Sequence, residues 1–389
     1  MSSESRNSKE RRTEIAADIM QSFAARTGIA PSIERPRRYL WTDAFAVCNF
    51  LSLHEKTGEK RFLELARDLI DQVHQVLGRH RADTGRTGWI SGMDEDEGRD
   101  HPTAGGLRIG KKLGERPIGI PYDDNLEWDR DGQYFHYLTK WMHALCQAST
   151  ATRDTKYLRW AAELAQVAFR AFVHHEAATG AARMYWKMSI DLSRPLVPSM
   201  GQHDPLDGYV TATQIATALM RWETVGDRGD LSRPIATFAR MASGMELATE
   251  DPLGLGGLLF DVSRLAQLGR PGGYVPEAPG ISEISDALKR GLSSWLSHRP
   301  LHRGREQRLA FRELGLSLGL RGLLLAEGAT PALQLSRGLP VPPRELASAI
   351  ENFWLDESNR QAASWREHED INAVMLASSL LPDRLVLLG

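Results

Sequence analysis

Hydrophobic positions along this chain fall into two kinds of helical stretch, and the two kinds alternate. In the first kind, Phe62, Leu65, Ala66, Leu69, Ile70, Val73, Val76 and Leu77 share one stripe, while Arg61, Glu64, Arg67, Asp68 and Asp71 fill the opposite face. That pattern predicts a surface helix laid over a core. In the second kind, apolar residues point in nearly every direction. Phe45, Val47, Cys48, Phe50, Leu51 and Leu53 do so within 44–54. Tyr134, Phe135, Tyr137, Leu138, Trp141, Met142, Ala144 and Leu145 do so within 131–149. A helix apolar all round must be buried on all sides, so these stretches predict inner helices of a layered structure.

The pairing of inner with outer helix recurs. Thr57-Gly58-Glu59-Lys60-Arg61-Phe62-Leu63-Glu64-Leu65-Ala66 and the segment Thr152 to Ala161 match in register: a threonine, a charged turn, an aromatic-leucine step, then an alanine-spaced helix. This is a degenerate helical-hairpin repeat. Looser pairs follow at 206–222 with 231–247, 253–268 with 281–297, and 309–326 with 344–354. The first helix, about 12–27, and the last, about 371–381, complete a sixth pair. The expected fold is all-α, an (α/α)6 barrel in which 11–389 forms a single toroid and the Ser/Arg/Glu-rich residues 1–10 form a disordered tail. Turns from inner to outer helices are mostly short (55–60, 150–155, 224–230), with 269–280 longer. The two longest connections, about 80–128 and 177–205, lead into inner helices. Loops of that length are usually functional or disordered, so the mouth of the ring is expected at the N-terminal ends of the inner helices. Residues 183–190 are expected to form a short strand or β-hairpin over it.

Composition narrows the classes. A formal net charge of -2 gives no electrostatic case for nucleic acid or an anionic membrane surface. No run approaches the roughly 20 apolar residues that span a bilayer, and the polar N-terminus has no apolar signal core. The expectation is a soluble, cytoplasmic protein. Cys48 and Cys146 both lie in apolar helical runs, which implies neither a disulfide framework nor a zinc cluster. No metal and no cofactor are expected. Asp94-Glu95-Asp96-Glu97 lacks an EF-hand pattern, and the glycine-containing stretch 105–112 lacks the Walker spacing.

With the pairs laid out, the chain resembles the six-hairpin glycosidase-like superfamily, which includes glycoside hydrolases and N-acylglucosamine 2-epimerase-like enzymes. The resemblance covers about 12–381 and rests on architecture, with local echoes at Tyr39-Leu40-Trp41-Thr42-Asp43, Trp128-Asp129-Arg130-Asp131-Gly132 and Trp365-Arg366-Glu367-His368. The last departs from the epimerases in its shorter spacing and in lacking a Pro-Tyr before the histidine. The resemblance implies a sugar site in the mouth and a small-molecule or oligosaccharide substrate.

The residues at the mouth support two chemistries. Carboxylates begin several inner helices: Asp43, Asp129 and Asp131, Asp204 and Asp207. Each is also a natural helix cap, worth about 1 kcal/mol, but caps on helices packed in a circle converge on one opening. Glycoside hydrolysis needs two carboxyls, one to donate a proton and one to activate water or attack carbon. The first expectation is therefore a glycoside hydrolase using Asp131 and Asp207, with Asp129, Asp204 and Asp43 as alternates. The second is a cofactor-independent sugar epimerase or isomerase using His203 and His368, because histidine titrates near the pH that proton transfer needs. His136, a turn inside its helix, reads as a core histidine. The third is a non-catalytic glycan-binding or scaffold protein. Arg38, Tyr39, Trp41, Trp128, Tyr185, Trp186 and Trp365 are the expected substrate-binding residues, since pyranose faces stack on aromatic rings and a guanidinium holds hydroxyls or anions.

Overall fold

The computed structural model describes residues 3–34, 36–222, 230–268 and 278–388, with side chains from residue 8 onward. Among these residues, twelve helices build the body. The outer helices are α1 (Ser3–Thr27), α3 (Lys60–Leu77), α5 (Lys156–Phe172), α7 (Ser232–Ala242), α9 (Ile281–Ser297) and α11 (Pro343–Leu355). The inner helices are α2 (Leu40–Thr57), α4 (Phe135–Thr152), α6 (Asp204–Arg221), α8 (Pro252–Leu268), α10 (Ala310–Ala329) and α12 (Glu369–Leu380). Each inner helix packs on the next, and α12 packs back on α2, so the inner ring closes. This is the expected (α/α)6 barrel. The sequence pattern accounts for the layers directly. In α3 the buried residues are Phe62, Ala66, Leu69, Ile70, Val73, His74 and Leu77, a single stripe. In α2 every residue from Leu40 to Leu53 is buried.

Two expectations change in the structure. Helix begins at Ser3, so most of the segment expected as a disordered tail continues α1. That segment has no glycine or proline, and a helix already nucleated by packing extends through such residues at little cost. The strand expected over 183–190 is divided. β1 (Gln133–Tyr134), β4 (Lys187–Met188) and β5 (Pro195–Val197) form one antiparallel sheet, in the order β1-β4-β5. β2 (Val173–His175) and β3 (Ala182–Met184) form a separate hairpin. Tyr185 and Trp186 lie between the two. The connections expected at 224–230 and 269–280 fall mostly outside the described residues.

Among the described residues, one end of the ring is covered by the C-terminal segment. Beyond α12 the chain turns across the C-terminal ends of the inner helices, and Leu385 and Val386 are buried there. Gln147 on α4 donates to the Leu387 carbonyl at 2.9 Å, and Gln267 on α8 donates to the Val386 carbonyl at 2.8 Å. The Arg384 amide donates to Ser52 Oγ on α2 at 3.1 Å. This terminal segment plugs the ring, which leaves the N-terminal ends of the inner helices as the mouth. Within the inner ring, α8 and α10 touch backbone to backbone: a Cβ on Gly256 would stand 2.2 Å from the Gly315 carbonyl oxygen. None of the helices is long and apolar enough to cross a membrane, among the described residues.

Candidate functional site

The inner helix α4 is buried on nearly all sides, as its sequence implies, but it carries one polar stripe. His136, Lys140, His143 and Gln147 recur at i, i+4, i+7 and i+11, a single face at 3.6 residues per turn. Asp204, Asp207, Thr211 and Gln214 form the matching stripe on α6. His143 Nδ1 meets Gln214 Oε1 at 3.0 Å. Arg264 on α8 donates to Thr211, Gln214, Asp207 and Asp261, at 3.2, 3.1, 3.1 and 2.7 Å. A ladder of polar pairs therefore runs from the mouth toward the plug. Buried polar groups are tolerated where they satisfy one another, although His143 Nε2, Gln147 Oε1 and Arg264 Nε in this ladder have no hydrogen-bond partner.

At the top of the ladder two carboxyls occupy one turn of α6 and differ sharply. Asp207 is 4 % exposed and accepts from Lys140 Nζ at 2.7 Å, Thr139 Oγ1 at 2.5 Å and Arg264 Nη2 at 3.1 Å. Burial alone would raise its pKa, but the Lys140 and Arg264 charges and the hydrogen bonds from Lys140 and Thr139 hold it at about 2. Asp204 meets only the Lys140 charge and the Gly201 backbone amide, which offset its burial far less. Burial, followed by the negative charge of Asp207, pushes its pKa up to about 7. Its carboxyl lies against the Gly201 backbone, where a Cβ would stand 2.5 Å from Oδ2.

His136 faces Asp204, with Nδ1 at 3.8 Å from Oδ1. Burial and the neighbouring Lys140 ammonium lower the imidazole pKa to about 4, so the ring is neutral at ordinary pH. His136 Nδ1 and Asp204 Oδ2 are both buried without a hydrogen-bond partner. Buried polar atoms are seldom left unpaired, and two of them in one half-open corner mark a place where a ligand atom or water would bind.

An arc of aromatic rings frames this corner. Trp128 stands edge-on to Trp186 at 5.3 Å, Trp186 contacts Tyr134 at 5.0 Å and lies parallel to the His136 ring at 6.1 Å. Tyr137 continues the arc to Trp41 and Tyr39, and the Tyr39 and Tyr137 hydroxyls share a 2.6 Å hydrogen bond. Burial raises the Tyr39 pKa to about 12, so that proton stays in place. Trp128 is half exposed, at 52 %, whereas Trp41 is buried at 7 %.

Several expected site residues have other tasks. Asp131 is fully buried and saturated: Oδ2 accepts from Arg81 and Arg108 at 3.1 and 2.9 Å, and Oδ1 accepts from the Gly110 and Gly132 amides at 2.9 and 3.1 Å. It anchors the long loop between α3 and α4, and the same is true of Glu127, which pairs with Lys187 and Arg116. Asp129 is exposed on that loop. Asp43 accepts the Tyr39 amide at 2.9 Å and stands 3.5 Å from Arg38, a helix-start role; burial raises its pKa to about 6 despite Arg38. Arg38 is 4 % exposed and donates to the Thr27 carbonyl at 2.9 Å, tying α1 to α2 rather than facing the mouth. Trp365 is buried, stacked on Trp354 at 5.6 Å. Tyr185, just past β3, stacks on His174 of β2 at 4.0 Å. His203 is bonded to the Leu247 carbonyl at 2.8 Å, and His368 is exposed on the rim near Phe311.

The structure thus brings together Asp204, Asp207, Tyr39, Trp41, Trp128 and Trp186. Sequence reasoning missed Lys140, His143, Asp261 and Arg264 and read His136 as core. The signal was present: a polar residue every third or fourth position inside an apolar helix marks a stripe facing something polar. Among the described residues, no group of three or more His, Cys, Asp or Glu side chains is gathered as metal ligands.

No family sequence model matches the chain, and no curated protein sequence does. Solved structures do. A family 76 glycoside hydrolase from a bovine Bacteroides thetaiotaomicron strain matches over 97% of this chain and 77% of its own, at 12% identity and a TM-score of 0.51. The cellobiose 2-epimerase from Spirochaeta thermophila DSM 6192 matches over 97% and 98%, at 11% identity and a TM-score of 0.47. A D-mannose isomerase matches over 94% and 96%, at 12% identity and a TM-score of 0.47. At this identity the likeness is one of fold: the chain shares the (α/α)6-barrel architecture of that hydrolase.

Proposed function

We propose that the protein is a carbohydrate-active enzyme that moves a proton between carbons beside a sugar carbonyl, an isomerase or epimerase, with Asp204 as acid–base and His136 as its neutral partner. The observation carrying this reading is that His136 Nδ1 stands 3.8 Å from Asp204 Oδ1, while His136 Nδ1 and the other carboxyl oxygen, Asp204 Oδ2, are buried without a hydrogen-bond partner. A carboxyl with a pKa of about 7 populates both protonation states near neutral pH, which suits a group that must take and return a proton. A neutral imidazole can polarise a carbonyl oxygen without giving up a full charge, a combination that enolisation uses. In this reading Asp204 removes the proton from the carbon next to the carbonyl. His136 donates a hydrogen bond to the oxygen as negative charge develops, gives that oxygen its Nδ1 proton and takes the proton of the adjoining hydroxyl, and Asp204 returns the carbon-bound proton to the former carbonyl carbon for isomerisation. The arc of Trp128, Trp186 and Tyr137 supports a pyranose-shaped ligand.

The observation favouring a second reading, glycoside hydrolysis, is that Asp204 and Asp207 share a helical turn with pKa values pushed apart to about 7 and about 2. Such a split is how a general acid and an ionised carboxylate coexist. Against it, every oxygen of Asp207 is engaged by Lys140, Thr139, Thr211 or Arg264.

One experiment separates the two. A panel of free aldoses, ketoses and β- and α-linked oligosaccharides is incubated with the protein in D2O and followed by NMR. Deuterium entering at a carbon beside the carbonyl, lost in Asp204→Asn, is the expected result. New reducing ends without deuterium incorporation would replace this reading with hydrolysis.

A further inference from the structure

A groove of about 1030 Å³ runs along the flank of the barrel between α1 and α11, at the end away from the mouth. Its floor holds Ile15, Leu324, Leu325 and Leu355, all only half-buried. Two acids line it, and both are neutralised: Glu351 by Arg12 and Arg321 at 2.7 and 2.6 Å, and Asp383 by Lys56 at 2.7 Å. Three further cations on the rim, Lys9, Arg11 and Arg344, are exposed and have no ion pair among the described residues. The groove is therefore locally positive on a chain whose net charge is -2. Among the described residues no aromatic ring lines it, which removes the stacking platform that sugars and nucleobases use.

We propose that this groove docks an acidic amphipathic helix of a partner protein. Leucine-like side chains of such a helix would cover the apolar floor, and its flanking carboxylates would meet Lys9, Arg11 and Arg344. This is the helix-in-groove mode of recognition, with charge complementarity selecting the partner. Two long helices already wall the groove, so a third lies between them with its axis parallel to both. The site is independent of the mouth, and occupancy leaves His136 and Asp204 uncovered.

The test uses the full chain and fluorescein-labelled peptides of roughly four helical turns. The first carries Leu at i, i+4, i+7 and i+11 with Glu on both flanks. In the second, Ser replaces each Leu; in the third, Lys replaces each Glu. Fluorescence anisotropy should give micromolar affinity for the first peptide, weakened about tenfold or more by the serines and lost with the lysines. The exposed double variant R11E/R344E, checked for unchanged circular dichroism, should bind the first peptide about tenfold more weakly. Equal binding of the Leu and Ser peptides would reduce the effect to bulk charge and overturn the proposal. So would unchanged affinity in R11E/R344E, or no binding at millimolar peptide. A sulfated oligosaccharide that binds the chain where the peptides do not would also overturn it.

Discussion

His136 Nδ1 and Asp204 Oδ1 stand 3.8 Å apart on the first turns of adjacent inner helices, and each side chain leaves one buried polar atom unpaired. The distance is too long for a hydrogen bond, and short enough for one ligand oxygen to touch both. Replacing Asp204 by Asn should abolish turnover of any substrate, by about 10²–10⁴-fold for loss of an acid–base group. The same variant should retain substrate binding, which calorimetry would measure. Loss of binding together with turnover would point to a scaffold role for Asp204.

Asp204 and Asp207 have opposite effects on stability as pH changes. The folded pKa of Asp204 is raised, so its contribution is complete below about pH 4 and is lost as pH rises toward 7. Asp204→Asn should therefore be more stable than the parent at pH 8 and indistinguishable at pH 4. The folded pKa of Asp207 is depressed to about 2, so its contribution is complete above about pH 4 and fades as pH falls toward 2. Thermal melts across pH 2–8 resolve the two effects.

Lys140 and Arg264 share the charge of Asp207, so removing one strands a buried carboxylate. Lys140→Met is expected to cost about 3 kcal/mol. Adding Asp207→Asn should recover part of that loss, with a coupling of about 1–3 kcal/mol in a double-mutant cycle. Additive losses would mean that the 2.7 Å contact contributes no net interaction.

Gly201 is the position on which the Asp204 carboxyl rests. An added Cβ would come within 2.5 Å of Oδ2, so Gly201→Ala must turn that carboxyl aside. The expected outcome is a changed pH–rate profile and a lower kcat with the melting temperature nearly unchanged. An unaltered profile would show that Asp204 tolerates displacement.

Asp131 is expected to matter for the loop rather than for the chemistry. Its two arginines and two amides leave no free oxygen, and Asp131→Asn should cost about 3–5 kcal/mol, as breaking a buried ion pair does. Limited proteolysis between α3 and α4 should accelerate, while the pH–rate profile of the surviving protein keeps its shape.

The ring itself was legible in the chain. Stripes such as Phe62 to Leu77 and all-round apolar runs such as Phe45 to Leu53 specify outer and inner helices, because helical periodicity is a local property of sequence. The mouth was legible from loop length, and Asp204 and Asp207 from their place at a helix start. The roles of individual acids were not legible, because they depend on partners far along the chain. Asp131 meets Arg81 and Arg108, and Asp207 meets Lys140 and Arg264, across sequence separations of 50, 23, 67 and 57 residues. A carboxylate is inert or reactive according to how many cations and donors reach it, and only packing decides that. The acid cluster around Trp128 therefore stood out in the sequence yet is largely spent on holding a loop. His136, which looked like a core residue, becomes half of the candidate site because α6 places Asp204 beside it.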